Sequence, residues 1–330
     1  MRPFSILLLF LVAPVHGRAY DFEIPEGKIV VFGDSRVITP TERLRGREDP
    51  GFRVPANIYR GAAEERPVAV FHAGDIVSMG FARSRWLGGW DVFAEHVRPI
   101  VDGNIPFFPA IGNHDYYGIQ RHALRNFYEM FPYLSRTFYS VKSGRVLYLL
   151  LDSNRTFIAA GGLDQTELAW LEETVRLGDN DPDVKFIVPI FHHPAYSYLG
   201  HPSGTGPDSR WVLERFVPVF ERSSKVRLVF SGHIHIYERR HVEPVVYVIT
   251  GGGGSPRHYA SDDHLRRRLS GPGQPNPGDV VRTDFHYMRV TPAGDALRVE
   301  MIQLDESGSR NVGDSFVVVS ESSSAVLPVR

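Results

Sequence analysis

The sequence predicts an α/β protein, and two features carry that expectation. Short apolar runs alternate with longer segments of helical period, the pattern of a sheet covered on both faces. Most of these runs also stop at a polar loop: Gly33-Asp34-Ser35-Arg36, Gly74-Asp75, Gly112-Asn113-His114-Asp115, His192-His193-Pro194 and Gly232-His233-Ile234-His235. In open α/β sheets ligands gather beyond the carboxyl ends of the strands, so these loops are where chemistry is expected.

Taken in order, the chain begins with Arg2 and the apolar stretch Ile6 to Ala13, followed by Pro14, Gly17 and Ala19. This has the form of a secretory signal peptide over residues 1–19. The stretch is well short of the ~20 residues needed to span a bilayer, so no stable membrane anchor is expected and the location is secreted or periplasmic. Residues 20–330 then read as one domain, since neither an internal repeat nor a convincing linker divides them. The expected strands are Lys28 to Phe32, Val68 to Phe71, Phe107 to Ile111, Val146 to Leu151, Val184 to Phe191, Val226 to Phe230 and Val245 to Thr250. Between them Trp86, Trp90, Phe93, Val97 and Ile100 recur at helical spacing, as do Leu168, Leu171 and Val175 after the capping pair Asp164 and Glu167; all are read as core. His258 to Asp279 is rich in Gly, Pro and charge and reads as a long surface loop. Leu297, Val299 and Met301 alternate with Arg298 and Glu300, and with Phe316 to Val319 they are expected to complete the second sheet.

The formal net charge is -1 with both signs interspersed, which removes the electrostatic footprint expected of a nucleic-acid binder. The basic run Arg266-Arg267-Arg268 is read as a solvated face. There is no cysteine, so neither disulfides nor thiolate ligands enter, and a metal would have to be held by nitrogen and oxygen. Taken singly, each polar loop is a weak signal. Together they supply two carboxylates, an asparagine and several histidines, a ligand inventory sufficient for two divalent cations.

The ordered set resembles the calcineurin-like metallophosphoesterase superfamily, with Gly112-Asn113-His114-Asp115 and Gly232-His233-Ile234-His235 as its most specific pieces. Leu151-Asp152-Ser153-Asn154, Gln165 to Leu171 and Gly251 to Gly254 are similar to its purple-acid-phosphatase-like branch. The resemblance implies a four-layer αββα sandwich of two mixed β-sheets flanked by helices, with a dinuclear centre of Zn, Mn or Fe at its edge. It further implies Asp75 as the bridging ligand, Asn113, His192 and His233 at the second metal, and Asp34 and His235 at the first. His114 is implied beside the substrate phosphoryl group, and Asp115 is expected to fix its loop. In the pair His192-His193 the family pattern implies the first as ligand, side-chain alternation on an extended segment argues against both meeting one metal, and His193 is left supporting the ligands or facing substrate.

One departure concerns the first metal, where the family places a histidine or a tyrosine and this chain has Arg36 and Ser78. The first site is therefore expected to be weak, water-filled or empty. Arg36 either grips a phosphate oxygen or forms a salt bridge at the sheet edge. The reaction implied is hydrolysis of a small-molecule phosphate monoester by a metal-held hydroxide. The alternatives are a phosphodiesterase of the same fold and a non-catalytic metal or phosphate binder. His72, three residues before Asp75, is expected on the opposite face and structural. Tyr116, Tyr117 and His258 are read as packing or anchoring residues near the site.

Overall fold

The computed structural model describes residues 20–44, 46, 50–154, 163–199, 207–258, 269, 274–305 and 307–320. The candidate signal peptide and the basic run Arg266 to Arg268 lie outside the described residues. In chain order the strands are β1 (Phe22–Ile24), β2 (Ile29–Phe32), β3 (Ala69–Ala73), β4 (Phe107–Ala110), β5 (Tyr139–Ser143), β6 (Val146–Leu150), β7 (Phe186–Ile190), β8 (Leu228–Ser231), β9 (Tyr237–Val242), β10 (Val245–Thr250), β11 (Val280–Arg282), β12 (Phe285–Ala293), β13 (Ala296–Leu304) and β14 (Arg310–Val319). The helices are α1 (Pro40–Leu44), α2 (Arg53–Glu64), α3 (Trp90–His96), α4 (Arg98–Asp102), α5 (Gln120–Met130), α6 (Leu163–Asn180), α7 (Pro207–Arg215) and α8 (Val217–Arg222).

The strands form two mixed sheets. Eight run β1-β5-β6-β7-β8-β10-β9-β11 and six run β14-β13-β12-β2-β3-β4. Side-chain alternation shows how the sheets stack. On β6, Val146, Tyr148 and Leu150 belong to the core shared with the six-stranded sheet, whereas Leu147 and Leu149 pack outward with Leu171, Val175 and Phe220 of α6 and α8. Phe71 of β3 meets Tyr148 of β6 across the interface, with ring centroids 4.6 Å apart. Both rings are fully buried, and each contributes roughly 1.5–3 kcal/mol of apolar burial. Helices α2 to α5 add Ile58, Trp90, Ile100 and Phe127 to this same large core. The result is the expected αββα layering.

The C-terminal strands complete one of the two sheets: β12 pairs antiparallel with β2 through Met288↔Val31, so β12 to β14 extend the sheet that begins at β2. Two other expectations need correcting. Trp86 is not core; it is 84% exposed. Gly88 at φ +63 closes a short 3-10 turn over Arg85–Leu87, which breaks the phase with Trp90. Glu167 is buried and accepts the Asp152 N–H at 2.7 Å, tying α6 to the loop after β6. Strand β9 escapes sequence reading because Glu238, Arg239 and Arg240 interrupt its apolar pattern.

Parallel β2, β3 and β4 in one sheet and β6, β7, β8 and β10 in the other end at the same edge. Backbone bonds sew the two sets of loops together: Gly33 N to Thr250 O at 2.9 Å and Gly253 N to Gly33 O at 3.0 Å. The seam places all the polar loops in one region.

Two buried histidines outside the polar loops, His96 of α3 and His286 of β12, make stability pH-dependent. Burial pushes His96 and His286 down to about 4. The unfolded chain binds protons at its histidines from about pH 6.5 downward while the folded chain does not, so stability falls as pH drops from 6.5 toward 4. Urea midpoints at pH 7 and pH 5 are expected to differ by a loss of roughly 1–2 kcal/mol per buried histidine at the lower pH.

Candidate metal centre

Asp34, Asp75 and His233 occupy the left-handed backbone region at φ 59, 58 and 70. Such conformations cost a non-glycine residue about 1–3 kcal/mol and persist only where surrounding contacts impose them. Here the contacts are specific. Asp34 N donates to Gly74 O at 2.9 Å, and His233 N to Asp34 Oδ2 at 2.8 Å. Asp115 accepts four backbone N–H groups: Gly112 at 2.8 Å, Asp75 and Ile76 at 3.0 Å, and Val77 at 3.1 Å. It therefore clamps the β3 loop to the β4 loop, the anchoring role its sequence position suggested.

The glycines that precede the ligands make room for them. Gly74 is at φ +87, and a Cβ there would lie 2.7 Å from His192 Nδ1 and 2.9 Å from the Gly112 backbone. At Gly112 it would lie 2.2 Å from Asp75 N. Gly74→Ala is expected to lower the melting temperature and the retained metal together, checked by thermal unfolding with and without added zinc.

Four donor atoms converge beyond β3, β4, β7 and β8. His192 Nε2 lies 3.0 Å from Asn113 Oδ1, 3.3 Å from Asp75 Oδ1 and 3.3 Å from His233 Nδ1, which is itself 3.2 Å from Asn113 Oδ1. His192 Nδ1 stands 2.9 Å from the Ala73 carbonyl. A carbonyl only accepts, so Nδ1 carries the proton and Nε2 presents a lone pair. The Asn113 side-chain oxygen stands on the histidine side, and it too presents lone pairs. Lone pairs therefore face lone pairs, an arrangement that a cation among them stabilises.

A second set shares Asp75. Asp34, Asp75 and His235 bring one ligand atom each within 4.8 Å of one another. His235 Nδ1 donates to Pro256 O at 2.5 Å, which turns Nε2 toward Asp34 Oδ1 at 3.4 Å. That carboxylate oxygen is buried without a hydrogen-bond partner. An orphaned oxygen opposite an imidazole lone pair is what a metal ligand looks like without its ion. Burial, with the neighbouring Asp75 charge, pushes Asp34 well above the usual carboxylate range. Burial also pushes Asp75 upward, but His192, His114 and Arg36 around it hold it below that range. Both donor sets fit a divalent cation bound by nitrogen and oxygen.

The first set lacks a further ligand. Ser78 turns its hydroxyl to the Val37 carbonyl. Arg36 is buried, with both terminal nitrogens on Glu42 at 2.9 Å and Nε 3.7 Å from Asp75 Oδ2. The fork that sequence reading offered to phosphate is engaged by Glu42, so the salt-bridge alternative describes its terminal nitrogens. Nε is a buried donor without a hydrogen-bond partner, on the Asp75 side. Glu42 went unnoticed in the sequence although its signal was present. Thr39-x-x-Glu42 is a capping box, realised as Thr39 N to Glu42 Oε2 at 2.9 Å and Glu42 N to Thr39 Oγ1 at 3.1 Å.

His114 donates through Nδ1 to Ser78 O at 2.9 Å and holds Nε2 4.0 Å from Asp75 Oδ2. Burial and Arg36 push it down to about 4. The alternation expected of His192-His193 does not hold, because the chain after β7 is no longer extended. Both rings turn toward His233, and His193 joins His192 and His233 in one potential metal-binding group. Its Nδ1 meets Ser153 Oγ at 3.0 Å and its Nε2 lies 3.9 Å from Asp208. Ser153, noted in the sequence only as part of the Leu151 to Asn154 motif, also accepts the N–H of both histidines. His72 is buried between Ser35 and Gly74 N, supporting the loops, and His258 stacks on His235 at 3.9 Å.

The sequence model for calcineurin-like phosphoesterases matches residues 27–237. The chain belongs to that family. A curated relative, Fe(3+)-Zn(2+) purple acid phosphatase 12 of Arabidopsis thaliana, is 27% identical over 120 residues, covering 36% of this chain and 24% of that protein. A 3',5'-cyclic-nucleotide phosphodiesterase of Nostoc sp. is 29% identical over 124 residues, covering 36% of this chain and 40% of that one. The matched parts thus span well under half of either relative. Among solved structures, a purple acid phosphatase from yellow lupin seeds superposes with a TM-score of 0.61 at 18% identity, over 88% of this chain and 53% of that one. This family member shares the αββα fold with it.

Proposed function

We propose that this chain is a phosphatase that hydrolyses small-molecule phosphate monoesters with two divalent cations. The observation that carries the reading is the carboxylate of Asp75 shared between two donor sets, one of which leaves Asp34 Oδ1 buried and unpartnered. Asp75, Asn113, His192 and His233 would hold one cation, and Asp34, Asp75 and His235 the other. When bound, such a pair supplies Lewis acidity and lowers the pKa of water.

The residues around the donor sets do the rest. Arg36, with its buried Nε 3.7 Å from Asp75 Oδ2, sets a fixed positive charge beside the donor sets that favours an anionic phosphoryl group there. His114 Nε2 faces the same side, and an anionic phosphate ester beside it favours its protonated form. In that form it stabilises charge on the phosphoryl group and returns the proton to the departing alkoxide, worth ~10²–10⁴-fold in rate. His193, held by Ser153, lines the opposite wall next to His233. His114→Ala is expected to lose that factor in kcat on an aryl phosphate while metal content is unchanged; full activity would remove His114 from the reaction.

The likeness to the Nostoc phosphodiesterase favours a second reading, phosphodiester cleavage at the same site. Hydrolysis of an aryl phosphate and its bis-aryl diester by protein reconstituted with single metals separates the two. Secretion or periplasmic export is part of the proposal and rests on the segment Arg2 to Ala19; no helix among the described residues is long and apolar enough to cross a membrane.

A further inference from the structure

Beside the donor sets lies a cavity of about 690 Å³, lined by Val37, Ile38, Leu44, Phe52, Trp86 and Gly88 with Arg43 and Arg85 among its walls. The volume is that of small-molecule pockets, ~300–1,000 Å³. Its apolar walls are unusually open, since Leu44 is 88% exposed and Trp86 84%. Other aromatic residues of this region, Tyr59, Trp90 and Phe93, are buried. Water against Leu44 and Trp86 is costly, and an apolar occupant would relieve that cost. The Arg85 guanidinium stacks on Phe52 at 4.5 Å and pairs with Glu95, which holds this wall in place.

The cavity is one residue away from the reacting region. The carbonyl of Val37, a lining residue, accepts from Ser78 Oγ and lies 3.4 Å from Arg36 Nη1. The Ser78 backbone N–H donates to the carbonyl of Gly88, another lining residue, at 2.9 Å, and the Ser78 carbonyl takes the His114 ring N–H. Helix α1 presents Glu42 to Arg36 and Leu44 to the cavity. One short stretch thus faces Arg36 on one side and the apolar space on the other.

We infer that this cavity is the subsite for the alcohol portion of the substrate, and that the preferred esters carry an extended alkyl or aromatic group. The inference rests on the phosphatase reading given above and names its substrate class. Leu44 and Trp86 determine that preference and touch none of the metal-binding residues.

The test compares ethyl phosphate with octyl phosphate, whose leaving alkoxides are of similar reactivity, so a difference in kcat/KM reports the apolar chain. The metal-reconstituted protein is expected to favour the octyl ester by ~10-fold or more, and Leu44→Ala/Trp86→Ala to bring the two within about twofold through loss of octyl turnover. Both side chains are exposed, so the substitutions empty no core. Octylphosphonate, which cannot be hydrolysed, supplies a readout independent of turnover: saturable change in tryptophan fluorescence, absent in Trp86→Phe. Equal rates on both esters with no fluorescence change overturn the inference while leaving the phosphatase reading intact. A fluorescence change that requires Trp86, with neither ester hydrolysed, upholds the apolar subsite and overturns the phosphatase reading.

Discussion

Asp75→Asn is expected to abolish turnover, by ~10³-fold or more in kcat/KM on an aryl phosphate, and to lower bound metal to less than one ion per chain. The expectation follows from the position of both carboxylate oxygens. Oδ1 accepts the His114 backbone N–H at 2.9 Å and lies 3.3 Å from His192 Nε2, within the Asn113 and His233 donor set. Oδ2 lies 3.7 Å from Arg36 Nε. An amide in this place loses the negative charge that the two donor sets would offer to cations, and directs an NH₂ at either the second donor set or Arg36. Kinetics and elemental analysis on the same purified sample check the result. Two metals and undiminished activity in Asp75→Asn would show that the residue bridges nothing.

Asp115→Ala is expected to produce the largest loss of stability outside the apolar core, on the order of 3–5 kcal/mol, because it strands four buried N–H donors at once. These donors belong to Gly112, Asp75, Ile76 and Val77, so the loss falls on the loops that present Asp75 and Asn113. Asp115→Asn retains one acceptor oxygen and should fall between wild type and alanine. Urea unfolding gives the magnitude. If Asp115 only neutralised the site electrostatically, Asn and Ala would be equally destabilising; if it acts as a four-donor clamp, they separate.

Much of this was legible in the chain because strand ends carry their chemistry in local sequence. Gly33-Asp34, Gly74-Asp75 and Gly112-Asn113 follow apolar runs directly, and the glycine before each ligand reflects a steric demand that the fold confirms at Gly74 and Gly112. What was not legible depends on contacts distant in sequence or on the loss of regular geometry. The alternation argument for His192-His193 presumed a strand where β7 has already ended. Trp86 shares helical spacing with Trp90, but Gly88 and Gly89 terminate the turn between them. The pairing of β12 with β2 joins residues far apart in the chain, and no periodicity encodes which sheet accepts a C-terminal hairpin. Glu42 was recoverable as part of a capping box, but its second role as partner of Arg36 was not, since that contact depends on how the loop after β2 folds back.

The Arg36–Glu42 pair also explains why the two donor sets should differ in strength. A buried guanidinium beside Asp75 Oδ2 already satisfies part of the negative charge that the first cation would use, and Ser78 contributes no ligand in its place. The second set, with Asn113, His192 and His233 around Asp75, has no such competitor among the described residues. Metal is therefore expected to fill the second position at lower concentration than the first.

The central claim is that these loops hold two cations bridged by Asp75, and anomalous X-ray diffraction from crystals grown with manganese or zinc tests it most directly. Two anomalous peaks are predicted, one among Asp75, Asn113, His192 and His233 and one among Asp34, Asp75 and His235, the latter with lower occupancy at limiting metal. A crystal saturated with metal that shows no peak at either position, or one peak with Asp75 outside its coordination sphere, would contradict the account.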